Sequence, residues 1–386
     1  MRSTIRFVGY FVIRAASVWV LASTCATAQD LVVAQIASQT NPSSITNAKG
    51  MYIGIKAYFD AVNAAGGVNG RPLKLVVKDD NLTAPKMVEL TKELIADKDV
   101  LALVGFLNSG GLGELAKQNI AGQAGIAMIA PLQGNKNIVG ADNFFPFRSG
   151  YSDEIIALLK EAKSTQKKRV AIVNYSVAFG PPMAQFAVEE AKKTGLELMA
   201  QATINAAELD KAEASVKEAV AVVAKAQVDA VILVAAGRYS SDFVRLLKAS
   251  SAAGAQIYCM SVILAEDLVK AVGADKARGV VIAQATPFPF SATSKFIGDY
   301  QKLMKQYAPG EALSYPSMEG YAGAKITVEA LKRAGPNPTR DKILKALLAM
   351  GELDLGGVYV NYSAKGRIGW GGIDLTIISR DGKLLR

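Results

Sequence analysis

Residues 104–118 read VGFLNSGGLGELAKQ: an apolar run breaks at Asn108-Ser109-Gly110-Gly111 and resumes with helical spacing. A turn of this kind between a strand and a helix presents bare backbone amides at the positive end of the helix dipole. The Ser109 hydroxyl adds a donor, so the chemistry it suits is holding a small anion such as a carboxylate. The alternative is a plain helix cap, with Ser109 satisfying its own helix. Gly111-x-Gly113-x-x-Ala116 formally matches a dinucleotide fingerprint. That fingerprint belongs after the first strand of its lobe, with an acid about 20 residues on. Here it follows the third strand, and the stretch AMIAPLQG (127–134) carries no Asp or Glu, so the match is a coincidence. Arg238, in GRYSSD (237–242), is a second group with chemistry, since its planar fork could clamp a carboxylate; solvent exposure is the alternative. The chain has no histidine, which excludes Ser-His-Asp and Cys-His catalysis, His zinc sites and His-based pH switches.

The elements that must position these groups alternate strand, turn and helix. LVVAQIA (31–37), LKLVVKDD (73–80), VLALVGF (100–106) and IAMIA (126–130) read as buried strands separated by amphipathic helices, the first over 48–65. Strands so spaced imply right-handed crossovers and a parallel sheet covered on both faces. The pattern then restarts at KRVAIVNYSVAFGPPMAQFAVEEAKKTGLEL (168–198), and VDAVILVAAG (228–237) and AQIYCMSV (255–262) follow as strands. After GVVIAQATPFPF (279–290) come helices over 292–307 and 315–334, and a third behind Thr339, a good cap. The tail alternates like strand around glycine turns, and Trp370 lies in it, away from any predicted cleft. The fold class is therefore α/β, in two lobes of similar plan.

The 386-residue length, with 51% hydrophobic and 20% charged residues, agrees with two domains, since single cores rarely exceed ~250 residues. Residues 1–28 read as a cleavable export signal: Arg2, Arg6 and Arg14, an apolar run over 15–21, then Ala26-Thr27-Ala28. An uncleaved anchor is the alternative, and Cys25 raises lipid attachment, for which the surrounding residues fit poorly. Cleavage there takes the 44 basic residues to 41 against 34 acidic ones, about +7. The charges are interspersed, with no basic run suited to a nucleic acid. Cys259 is left as a single cysteine in an apolar stretch, expected to be buried.

YFDAVNAAGGVNGRPLKLVVKDDN (58–81) joins a helix ending in a glycine pair, V-N-G-R-P-L and a strand closing on Asp79-Asp80. With LVGFLNSG, IAPLQGN, VAIVNYSVAFG, VDAVILVAAGRYSSDF and SYPSMEGYAGAKITVEAL in the same order, it resembles the type I solute-binding proteins of ABC importers, in the branched-chain amino-acid (leucine/isoleucine/valine) group. The resemblance covers essentially all of the chain beyond residue 28. It implies two Rossmann-like lobes joined by three hinge crossovers, the first over 29–148 plus 285–356 and the second over 149–284 plus 357–386. It also implies a small-molecule ligand engulfed in the cleft, a membrane permease as partner, a periplasmic location, a monomer, and no cofactor.

Ligands of open α/β sheets bind beyond the carboxyl ends of the strands. Four turns meet that rule, and the resemblance gives them roles. Asn108, Ser109 and Gly110 correspond to the family's carboxylate site. Leu132, Gln133 and Gly134 correspond to a loop contacting the ligand's polar end, though the threonine usual near Gly134 is missing; Gln133 replaces it or is a solvated loop residue. Phe179 falls where an aromatic packs on the ligand's apolar part, with Tyr175 as neighbour, although either could be core. Tyr239 matches a ligand-facing tyrosine. Ser261 and Val262 stand where amino-acid binders of the family place a carboxylate for the ligand's ammonium. Burying an ammonium without a counter-charge is costly. Glu266, Glu319 and Asp153 are the remaining candidate partners. The departure favours an organic acid with an apolar or aromatic body over an amino acid. Two other classes are weighed: a sensory module presenting its closed form to a membrane receptor, and an exported enzyme. The enzyme would need Ser-Lys or paired carboxylates, and neither occurs at a suggestive spacing.

Overall fold

The computed structural model describes residues 29–177, 179–206, 211–363 and 366–386. The expected export signal over 1–28, with Cys25, lies outside the described residues. Among the described residues no helix is long and apolar enough to cross a membrane.

The first sheet is built from β1 (Leu31–Ile36), β2 (Leu73–Lys78), β3 (Val100–Val104), β4 (Ala127–Ile129) and β5 (Phe144–Phe145). All pair in parallel, in the order β2-β1-β3-β4-β5. Then come β6 (Arg169–Tyr175), β7 (Glu197–Ile204), β8 (Ala230–Val234), β9 (Gln256–Cys259) and β10 (Val281–Gln284), parallel in the order β7-β6-β8-β9-β10. The two orders are the same when each lobe is counted from its own first strand. The repeat seen in the sequence is thus a repeat of topology. These strands form because their Val, Ile, Leu and Ala runs are covered on both faces; AVILV of β8 is buried at every position. Each fully buried Val, Leu or Ile contributes roughly 1.5–3 kcal/mol of transfer free energy before conformational entropy is subtracted.

The carboxyl-terminal region departs from expectation. β11 (Gly351–Asp354), β12 (Tyr359–Ser363) and β13 (Gly366–Ile368) make a separate antiparallel sheet. Its Val358, Val360 and Tyr362 pack with Phe145, Phe147 and Ile343 of the first lobe. Only β14 (Asp374–Ile378) and β15 (Leu384–Leu385) join the second sheet, β14 antiparallel against β10. The tail expected in the second lobe from residue 357 therefore enters it after residue 368. The sequence pattern is strand-like on both sides of that crossing, so alternation alone cannot locate it.

Helix ends follow local chemistry. Ser314 and Ser317 form a capping box at the start of Tyr315–Ala334, and the Thr339 hydroxyl accepts from Lys342 N. The first of the three late helices begins at Lys295, three residues later than expected, because Ser294 caps it by accepting from Ile297 N. Cys259 is a buried free thiol whose pKa is pushed up by burial.

Three segments cross between the lobes, over 146–150, 285–294 and 369–373. The first is hydrogen-bonded to each of the other two. Ser149 N donates to Ala285 O at 3.1 Å, Trp370 N donates to Phe147 O at 2.6 Å, and the Ser149 hydroxyl reaches Trp370 O and Gly372 O at 2.5 and 2.6 Å. Trp370 thus stands in the third crossover, half-buried against the first-lobe core.

Candidate functional site

The lobes enclose a cavity of about 410 Å³, within the ~300–1,000 Å³ range of small-molecule sites. The first lobe lines it from the loops and helix starts after β1 (Asn41, Ser43, Ser44, Asn47), β2 (Leu82, Ala84) and β3 (Leu107, Asn108, Ser109, Gly110), and from the loop after β4 (Leu132). The second lobe lines it with Tyr151, from the end of β6 and the loop after it (Tyr175, Val177, Phe179), from the loop and helix start after β8 (Ala236, Tyr239), and with Ala206 and Val262. The cleft therefore opens between β1 and β3 and between β6 and β8. These are the points where strand order reverses in each sheet, as the switch-point rule requires.

The Ser109 turn resolves in an informative way. Asn108, buried, caps the helix Ser109–Lys117: its Oδ1 accepts from Gly111 N at 3.0 Å. Ser109 is thereby relieved of capping, and its hydroxyl meets that of Tyr151 from the other lobe. The helix is long enough to present a dipole, and Ser109 and Gly110 both border the cavity. This end of the cleft can accept an anion without a charged side chain.

The opposite wall is aromatic. Phe179 packs between Tyr151 and Tyr175, with ring centroids at 4.8 and 5.0 Å, and Tyr239 is also buried. Burial pushes the Tyr151 phenol up to about 12, and the hydrogen bond to Ser109 works the other way. Burial raises Tyr175 well above the usual value. Both hydroxyls therefore stay protonated at neutral pH and can donate to a ligand oxygen.

Four expected residues sit elsewhere. Gln133 is wholly buried and turns its Oε1 to Asn135 N at 2.8 Å, so it is neither a solvated loop residue nor a substitute hydroxyl in the cavity. Gly134 lies under Tyr151: a Cβ there would stand 2.4 Å from the Tyr151 ring, so a threonine has no room. Arg238 is exposed, lies 5.6 Å from the Tyr239 ring centroid and borders an outer groove with Asp242 and Lys270. Ser261 belongs to the hinge. Its N and hydroxyl donate to Glu154 at 2.7 and 2.8 Å. Sequence reasoning does not reach Tyr151 or the segment of residues 41–47, the loop and helix start after β1. The same switch-point rule, applied to the first strand of the first lobe, points to that loop.

Next to the cleft, sharing Asn47 and Leu132 with it, is a second cavity of about 10 Å³, room for about one water. Arg148 in the first crossover is 3.3 Å from Glu154 and 3.6 Å from Glu319, all three buried, and it also meets the Ser261 hydroxyl. Burial opposes the Arg148 charge, but Glu319, Tyr151 and Glu154 together hold its pKa above the usual range. Burial pushes Glu319 up to about 7, against the pull of Arg148 and with the help of Glu154. Burial raises Glu154 as well, opposed by Arg148 and Ser261. Glu319 is thus engaged at the hinge. Asp153 pairs with Lys136 at 2.9 Å, and Glu266 lies in the helix Ala265–Val272, outside the cavity lining. Among the described residues no Asp, Glu, Lys or Arg borders the main cavity. No described cluster of His, Cys, Asp and Glu could hold a metal ion.

The lobes touch beside the cavity. Thr46 Oγ1 donates to Asp267 at 3.1 Å, and a Cβ on Gly237 (φ +62°) would stand 3.0 Å from Ser43, so side-chain-free backbone is needed at that approach.

Comparisons with known proteins bear on this geometry. The family model described as "Periplasmic binding protein" matches residues 31–381. An amino acid binding protein from Pseudomonas aeruginosa is 26% identical over 139 residues, 35% of this chain and 37% of that protein, so the match spans little more than a third of the curated relative. A possible leucine/isoleucine/valine-binding protein from Rhodopirellula baltica superposes with a TM-score of 0.82 at 21% identity, covering 94% of this chain and 98% of that one. A solute-binding protein of an ABC transporter from R. palustris, in complex with benzoate, superposes with a TM-score of 0.76 at 19% identity, covering 92% and 95%. At these identities the solved structures speak to the fold alone.

Proposed function

The chain belongs to the type I periplasmic binding proteins, and from that premise we propose that it captures a small carboxylate-bearing ligand in the inter-lobe cleft. It then presents the closed form to the membrane permease of an ABC importer. It acts in the periplasm as a monomer, without cofactor, and makes or breaks no covalent bond.

The observation that carries the ligand class is the cavity lining: amides and hydroxyls at the Ser109 end, aromatic rings opposite, and no charged side chain among the described residues. A carboxylate is served by the helix N-terminus, Ser109 and Tyr151. An α-ammonium would enter with no carboxylate among the described residues to meet it, and an unpaired buried charge is costly. The ligand is therefore an organic or aromatic acid, not a branched-chain amino acid. Its apolar body lies against Phe179, Tyr175 and Tyr239. Closure expels water and strengthens the polar contacts.

The test is a thermal-shift comparison of L-leucine, its 2-oxo analogue and 4-hydroxybenzoate at equal high concentration. A ligand at ~100 times its dissociation constant adds about 2.7 kcal/mol to the folded state. Stabilisation by the oxo or aromatic acid and none by leucine is expected. Stabilisation by leucine alone would overturn the ligand class.

A further inference from the structure

Asp80, two residues beyond β2, is fully buried and uses both carboxylate oxygens. Oδ1 accepts from the Ser38 hydroxyl, in the loop after β1, and from Leu82 N at 3.1 Å. Oδ2 accepts from Asn108 Nδ2 at 2.7 Å, in the loop after β3. One side chain thus ties together three loops that line the cavity. All its partners are donors, the arrangement of an ionised carboxylate.

The same contacts fix the direction of the Asn108 amide. An acceptor-only carboxylate must be met by the NH2 group, and Gly111 N, a donor, must be met by Oδ1. Asn108 therefore relays the demand of Asp80 into the cap of the helix whose N-terminus borders the cavity. A carboxylate at position 108 would cap that helix equally well. It would also place a negative charge directly beside an anionic ligand. The chain instead keeps the charge one residue farther back, behind a neutral cap.

We propose that Asp80 is a positioning residue of the carboxylate cradle, holding three cleft loops in register and leaving the helix N-terminus uncharged for the ligand. The charge-placement half of this inference rests on the carboxylate reading above.

Asp80→Asn and the exchange Asp80→Asn/Asn108→Asp separate the two halves. In the single variant, Leu82 N keeps the remaining oxygen, so the introduced NH2 faces that of Asn108. Turning the Asn108 amide only moves the donor conflict to Gly111. In the exchanged pair the introduced amide donates to the introduced carboxylate, which still accepts from Gly111 N, and every partner is restored. The thermal midpoint and the affinity for 4-hydroxybenzoate and the 2-oxo acid are measured for all three proteins. The single variant is expected to lower the midpoint and to weaken binding at least tenfold. The exchanged pair is expected to recover most of the midpoint while still binding tenfold or more weakly than wild type, a deficit that a purely structural role does not produce. An unrecovered midpoint overturns the positioning half, as does a single variant identical to wild type. Recovery of both properties overturns the charge-placement half. A wild-type protein that binds neither acid overturns the carboxylate reading and the charge-placement half with it, while the midpoints still decide the positioning half.

Discussion

The cleft and the hinge lie side by side, sharing Asn47 and Leu132, yet they treat charge in opposite ways. The hinge buries Arg148 with Glu154 and Glu319 at 3.3 and 3.6 Å from its guanidinium. The cleft, about 410 Å³ in volume, is bordered by no charged side chain among the described residues. Charge is tolerated where the fold keeps it permanently paired. Where a guest must come and go, an empty site with a fixed charge would carry an unpaired one for much of its life, so dipoles and hydroxyls take its place.

The most severe way to break this contrast is Arg148→Met. Two buried carboxylates would lose their shared cation, and about 3–5 kcal/mol of stability should go, read as a lower urea midpoint. A change below about 1 kcal/mol would mean that the carboxylates take up protons at little cost. In the cleft, Ser109→Ala should leave the urea midpoint nearly unchanged while costing about 1.5–3 kcal/mol of binding to a carboxylate probe, read by titration calorimetry. Loss of stability without loss of affinity would make Ser109 a structural residue. The hinge should also respond to pH. Glu319 has a folded pKa of about 7, above the 4.5 of the free group, so the folded chain holds more protons than the unfolded chain between those values. Its stabilising share is present below pH ~4.5 and is lost as pH rises through ~7, with a slope of at most about 1.4 kcal/mol per pH unit. Glu154 acts in the same direction. Glu319→Gln should flatten unfolding free energy measured across pH 5–8; an unaltered slope would exclude Glu319 as its source. The smallest effect belongs to the contact between the lobes. Thr46→Val removes an exposed hydrogen bond to Asp267 and should cost less than about 1 kcal/mol, seen as slightly weaker binding. A tenfold or larger loss would make that contact a principal latch.

Legibility in the sequence followed the physics of each signal. Strand and helix alternation, and its restart near residue 168, could be read because buried parallel strands demand Val, Ile and Leu runs. Ser109 could be found because strand-end turns are local, and Phe179 through the resemblance to the family. Tyr151 could not. It begins a helix immediately after a crossover, and only the hinge path brings its hydroxyl to Ser109. Position along the chain alone puts Arg238 and Ser261 in the cleft. The residue next to each, Tyr239 and Val262, takes the inward direction instead. The Arg148–Glu319 pair joins residues far apart in sequence, and no local pattern announces it. β12 and β13, expected in the second lobe, join β11 in the first, because alternation tells which residues face a core, not whose core it is.

Trp370 donates its backbone N–H to Phe147, and its carbonyl accepts from Ser149, whose own N–H donates to Ala285 of the second crossover. Beyond residue 28 it is the only tryptophan. A motion that swings one lobe against the other must pass through its surroundings, whatever molecule the cleft encloses. The protein thus carries its own optical gauge. A shift in its ultraviolet emission on mixing with a candidate acid would time the bending of the hinge without an added dye.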